Sequence, residues 1–76
     1  MKVFTVRELI PLTLEPSYAD LDPDGHRWLA VDLTNHNDLE ASERVAIARW
    51  LGTQTIPVVG FGGQDSILHA AVDVIA

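Results

Sequence analysis

Seventy-six residues allow one small domain, and a hydrophobic content of 47% excludes wholesale disorder. There is no cysteine, so neither disulfides nor cysteine–zinc sites can supplement a small core. Eleven acidic side chains against five basic ones give a net charge of −6 and a pI near 4.6, which argues against nucleic acid and anionic membranes as partners.

No apolar run approaches the ~18 residues that a membrane span requires. Met1–Glu8 has no signal-peptide core, so the expected compartment is the cytoplasm. One domain is expected over residues 1–76, with an N-terminal strand and loop region over 1–26 and a βαβα unit over 27–76.

Lys2–Val6 is short and rich in strand formers, and Arg7–Ile10 fits either helix or strand. Pro11 and Pro16 restrict the backbone of the next segment, where the alternation Leu12-Thr13-Leu14-Glu15 predicts an edge strand. Ser17–His26 reads as a surface loop containing the turn Asp22-Pro23-Asp24-Gly25. Arg27–Thr34 is the best strand. Its nearly continuous apolar run suits a parallel sheet covered on both faces.

Asn35–Asp38 is polar and offers Asn37 or Asp38 as an N-cap. Asp38–Leu51 then has helical period, with Ala41, Val45, Ala48 and Leu51 in one stripe that Ile47 and Trp50 widen. Glu40 and Arg44 form a favourable i,i+4 pair, and Gly52 is a C-terminal stop. Thr53–Thr55 links to a strand at Ile56–Phe61. A second helix comes next over Asp65–Val72, with Asp65 or Ser66 as its N-cap, and Asp73–Ala76 begins another strand. The class is therefore α/β: a small parallel-rich sheet with crossover helices, in the order β-β-α-β-α.

The chemistry concentrates at Gly60-Phe61-Gly62-Gly63-Gln64-Asp65-Ser66. A strand–glycine turn–helix junction gathers backbone N–H groups where an anion or oxyanion can sit. The same glycines equally suit a tight turn that needs small residues. The turn lacks the Lys-Ser/Thr of a P-loop and the spacing of a dinucleotide-binding loop. Asp65 reads either as a helix cap or as a carboxylate for acid–base work beside the turn. Ser66 has no nucleophile-elbow context. Asp32 interrupts an apolar strand and reads either as an inward carboxylate that must be hydrogen-bonded or carry a raised pKa, or, the favoured reading, as a strand-end residue that caps a neighbouring loop. His26, His36 and His69 lack metal-ligand spacing, and His69 reads as a surface residue or as partly buried packing. Trp28 and Trp50 read as core or interface anchors.

Residues 27–76 resemble the crotonase (enoyl-CoA hydratase/isomerase) superfamily. The parts that carry the resemblance are, in order, Trp28–Thr34, Asp38–Leu51, Ile56–Gly60, Gly60–Gly63, Ser66–Ala71 and Ala70–Ala76. The resemblance implies a crotonase-like half-unit that binds a CoA thioester, with no covalently bound cofactor. Gly60, Gly62 and Gly63 would form the oxyanion and ligand-binding turn, one amide of it at Gly62 or Gly63. A second amide would come from Asn35–Leu39, and Asp65 would be the catalytic acid. Any activity would be that of a hydratase/isomerase-like lyase or isomerase, weak or absent in the isolated chain. The core would be finished by homo-oligomerisation or by a partner chain. The alternative is a small acidic α/β interaction or regulatory module, similar to anti-sigma-factor antagonist domains, that docks a protein through its Trp50 helix or its second helix.

Overall fold

A computed structural model describes residues 2–21, 25, 27–63 and 65–75. The elements are β1 (Val3–Thr5), α1 (Val6–Leu12), α2 (Tyr18–Leu21), β2 (Leu29–Asp32), a 3₁₀ turn (His36–Asp38), α3 (Ala41–Gly52), β3 (Val58–Phe61), α4 (Ser66–His69) and β4 (Asp73–Val74). The protein is α/β, with four parallel strands in the order β1-β2-β3-β4. Val3 pairs with Ala30, Ala30 with Val59, and Val59 with Asp73.

Each strand lies beside its sequence neighbour. Crossovers of one hand then place all the helices on the same face, and α1 packs on α3 and α3 on α4. Period-2 alternation sends Phe4, Leu29, Val31, Leu33 and Val58 into the core beneath them, with Leu9, Ile47, Trp50, Leu51 and Leu68 closing it from the helices. Phe4 and Tyr18 meet edge to face, their ring centroids 5.3 Å apart. The Trp50 indole N–H donates to the Glu15 carbonyl at 2.6 Å, and the Gln54 side chain accepts from the Tyr18 amide at 2.8 Å. These two bonds pin the segment before α2 to the C-terminal end of α3.

Several expectations are corrected. Val6–Leu12 is a helix, because Thr5 and Glu8 form a capping box: Glu8 accepts from the Thr5 amide at 3.0 Å and Thr5 accepts from the Glu8 amide. Leu12–Glu15 is consequently no edge strand. It unwinds from α1 through turns in which the amides of Thr13, Leu14 and Glu15 donate to Leu9, Pro11 and Leu12. Ser17–His26 contains α2 rather than loop alone, and most of the expected Asp22–Gly25 turn lies outside the described residues.

Helix α3 starts three residues later than its periodicity suggests and is capped at Glu40, whose amide donates to Glu43 at 2.8 Å. Its buried side is Ile47, Trp50 and Leu51, while Ala41 is exposed. Gly52 is the last helical residue rather than a stop beyond it. Helix α4 is a single turn, shorter than expected. Finally, β2 itself is buried on both faces, Ala30 included, and the exposure on the face away from the helices lies around it. Val3, Trp28 and Ile75, which alternate to the other face, are 41%, 53% and 53% exposed.

Candidate functional site

Sites in open parallel sheets lie beyond the carboxyl ends of the strands. Here that edge is built from the loop after β2 and the turn after β3. In the first, Asp32 Oδ1 accepts from the Thr34 amide at 2.9 Å and also from the Thr34 hydroxyl. This is the loop-capping role expected of Asp32. The Thr34 hydroxyl, and then its amide, hold the Asp32 carboxyl below its usual range. The His36 ring donates from Nδ1 to the Leu33 carbonyl, 2.9 Å away, so His36 staples its own loop.

In the second, Gly62 and Gly63 take left-handed φ values of +70° and +64°. Neighbouring atoms also demand both glycines. A Cβ at Gly62 would lie 2.6 Å from Thr34 Oγ1, and one at Gly63 would run into the Leu33 carbonyl. The turn after β3 is thus folded tightly against the loop after β2. Among the described residues, the amides of Gly62 and Gly63 donate no hydrogen bond. Gly60 is placed differently. It lies inside β3 facing the core, where a Cβ would come within 2.7 Å of Val72 Cγ2. It serves packing and is not part of the exposed turn.

Asp65 is the N-cap of α4, and only 8% of it is exposed. Its Oδ1 accepts from the Ile67 and Leu68 amides at 2.8 and 2.9 Å, and its Oδ2 lies 2.9 Å from Arg44 Nε. The Arg44 contact is an ion pair rather than an aligned hydrogen bond, since Nε has no hydrogen-bond partner. Arg44 Nη1 donates to the carbonyls of His36 and Leu39 at 3.0 and 2.8 Å. Arg44 therefore joins the 3₁₀ turn, α3 and the start of α4, and the expected helical pairing with Glu40 gives way to this tertiary role. Sequence reasoning missed this clamp, because its partner lies 21 residues away and no local spacing announces it.

Ser66 is exposed at the first position of α4. The His69 ring is half-buried, and its Nε2 has no hydrogen-bond partner. Among the described residues, no three His, Cys, Asp or Glu side chains converge on a metal-sized site. No helix among them is long and apolar enough to cross a membrane.

Trp50 is buried with its indole N–H engaged, so it anchors the core and offers no docking side chain on α3. Trp28 stands on the uncovered sheet face. An open cleft of about 270 Å³ lies between α3 and the β3–β4 edge, lined by Leu51, Ile56, Val58, Ala71 and Val72. Leu51 and Gly52 close α3 and Val58 begins β3, so the cleft sits at the amino ends of the strands, roughly 13 Å of strand away from the glycine turn. Comparison with protein families, curated proteins and solved structures finds no match to this chain.

Proposed function

We propose that this chain is a crotonase-like acyl-CoA-binding unit, with the Gly62 and Gly63 amides holding the thioester oxygen. The observation that supports this is the pair of left-handed glycines at the carboxyl end of a central parallel strand, with amides unpaired among the described residues. Backbone N–H groups fixed in a tight turn need no rearrangement to meet an oxyanion.

On this reading the chain binds and does not turn substrate over. General acid–base catalysis needs a carboxylate free to take or give a proton beside the reacting carbon. The Oδ1 of Asp65 is occupied by two helix amides and its Oδ2 by Arg44, while Asp32 is occupied by Thr34. In the alternative, a regulatory module docking a protein through the Trp50 helix or the second helix, the Trp50 side chain is buried and the contact would fall to other residues of those helices.

The test is an amide NMR titration with acetyl-CoA and with CoA. The chain has five glycines, so Gly25 and Gly52 serve as internal controls for Gly62 and Gly63. Acetyl-CoA at millimolar concentration is expected to move the Gly62 and Gly63 signals and to leave the controls in place. A parallel thermal melt should rise, since ligand at 100-fold excess over Kd adds about 2.7 kcal/mol. Unmoved Gly62 and Gly63 signals at saturating solubility would remove the reading.

A further inference from the structure

The two faces of the sheet differ in what covers them. The apolar residues that pack against the core, such as Ile10, Ala48, Ile56 and Val72, all belong to the helix side. Val3, Trp28, Ala30, Val59, Phe61 and Ile75 alternate to the opposite side and take no part in that core. Ala30, at the centre, is 1% exposed, whereas Val3, Trp28 and Ile75 on the same face are 41%, 53% and 53% exposed. We propose that this bare face is a docking surface for a cationic amphipathic helix of another polypeptide. The proposal does not depend on any ligand at the glycine turn.

Three observations select that occupant. Parallel sheets occur with both faces covered, usually by helices, because their strands are apolar on both sides. All the helices described here lie on one side, so a helix is the missing layer. The size also fits. The two longer Cα extents are 30 and 27 Å. A helix of about 18 residues is about 27 Å long, comparable with those dimensions.

Charge decides between a foreign helix and a second copy. The strand residues of this face carry two ionisable side chains, Asp32 and Asp73, and neither forms an ion pair among the described residues. Lys2 places its Nζ 4.8 Å from the centroid of the Phe4 ring, on the covered side. A two-fold dimer through this face would bring the same carboxylates together between two chains of charge −6. A helix with an apolar stripe flanked by Lys or Arg covers the apolar centre and meets both carboxylates.

The experiment uses the full chain and three synthetic 18-residue peptides: a Leu/Lys amphipathic helix, its Leu/Glu counterpart with the same pattern, and a scrambled Leu/Lys sequence. Trp28 is the reporter, since Trp50 is already buried. The Leu/Lys helix is expected to shift Trp28 emission to the blue with micromolar Kd. The Leu/Glu and scrambled peptides should bind about tenfold more weakly or not at all. Val3→Lys, at an exposed position that leaves the core intact, should weaken the Leu/Lys peptide about tenfold, with an unchanged melt showing that the fold survives. Asp73→Asn should weaken it about threefold and flatten its salt dependence. Equal binding of the Leu/Lys and Leu/Glu helices overturns the proposal, as does binding indifferent to Val3→Lys. A dimer in sedimentation that Val3→Lys dissociates also overturns it and assigns the face to a second copy.

Discussion

The covered and bare faces of the sheet are made from the same four strands, yet they have opposite physical roles. On the covered face, Leu29 and Val31 of β2 and Leu33 just beyond it are fully buried in succession within the core cluster that the helices complete. On the other face, Ala30 is buried at the centre while Val3, Trp28 and Ile75 at the margins are open to solvent. Burial at a parallel strand is therefore set by the crossovers and not by the strand's own composition. An apolar run alone cannot tell one covered face from two.

Core truncation should separate the faces most strongly. Leu33→Ala is expected to cost about 2–5 kcal/mol, because a fully buried side chain leaves a cavity. Val3→Ala on the bare face should change stability by no more than about 0.5 kcal/mol. Urea unfolding of the two variants measures both. Comparable losses would mean that the bare face is covered in solution.

The glycines extend the contrast to the turn. Gly63→Ala combines a left-handed φ with a collision against the Leu33 carbonyl and should cost roughly 2–3 kcal/mol. Gly52→Ala puts a methyl group into open space at a helical position, so it should stabilise by roughly 0.5–1 kcal/mol. Opposite signs in thermal melts are the expected outcome. Two losses would place Gly52 under a constraint that its surroundings do not show.

Asp65→Ala should fall between these, at about 2 kcal/mol, because it removes the α4 cap and leaves Arg44 without its carboxylate. Asp65→Asn keeps the cap acceptor and should recover about half of that loss. If the two substitutions cost the same, the Arg44 pair rather than the cap holds this corner.

The sequence made some of this legible and hid the rest for identifiable reasons. The α/β class, the parallel strands at the cores of Arg27–Thr34 and Ile56–Phe61, the Asp65 cap and the loop-capping role of Asp32 are readable from local composition and period, and all are present. Helix α1 was equally local: Thr5-Val6-Arg7-Glu8 is a capping-box pattern, but Pro11 draws attention to where a helix stops rather than where it starts. The Arg44 clamp, the bare face and the exposure of Trp28 depend on which elements become neighbours, and no window of adjacent residues contains that information. The glycine turn lies between these cases. Its left-handed conformation is legible from its glycines, whereas its close packing against Leu33 and Thr34 appears only once β2 and β3 are paired.

The smallest expected effect lies at Asp32, on the rim of the bare face. Its carboxyl is held below the ordinary value of 3.8, chiefly by the Thr34 hydroxyl and secondarily by the Thr34 amide. A carboxyl whose folded pKa lies below its unfolded one binds protons more readily in the unfolded chain. Its contribution to stability is therefore complete above about 3.8, and falls away as acid takes the pH down through the lower folded value. Thr34→Val removes the leading hydrogen bond and leaves the amide in place. The Asp32 pKa, tracked by carboxyl NMR, should then rise part of the way back, and the acid limb of the stability curve should become shallower. Because Asp32 is largely solvated, the change in stability at neutral pH should stay below about 1 kcal/mol. If a cationic helix is bound, the same titration should move further toward acid, since a Lys or Arg beside Asp32 favours its ionised form. Measuring the Asp32 pKa with and without the Leu/Lys peptide thus reads both the loop's own hydrogen bonds and whatever covers the bare face.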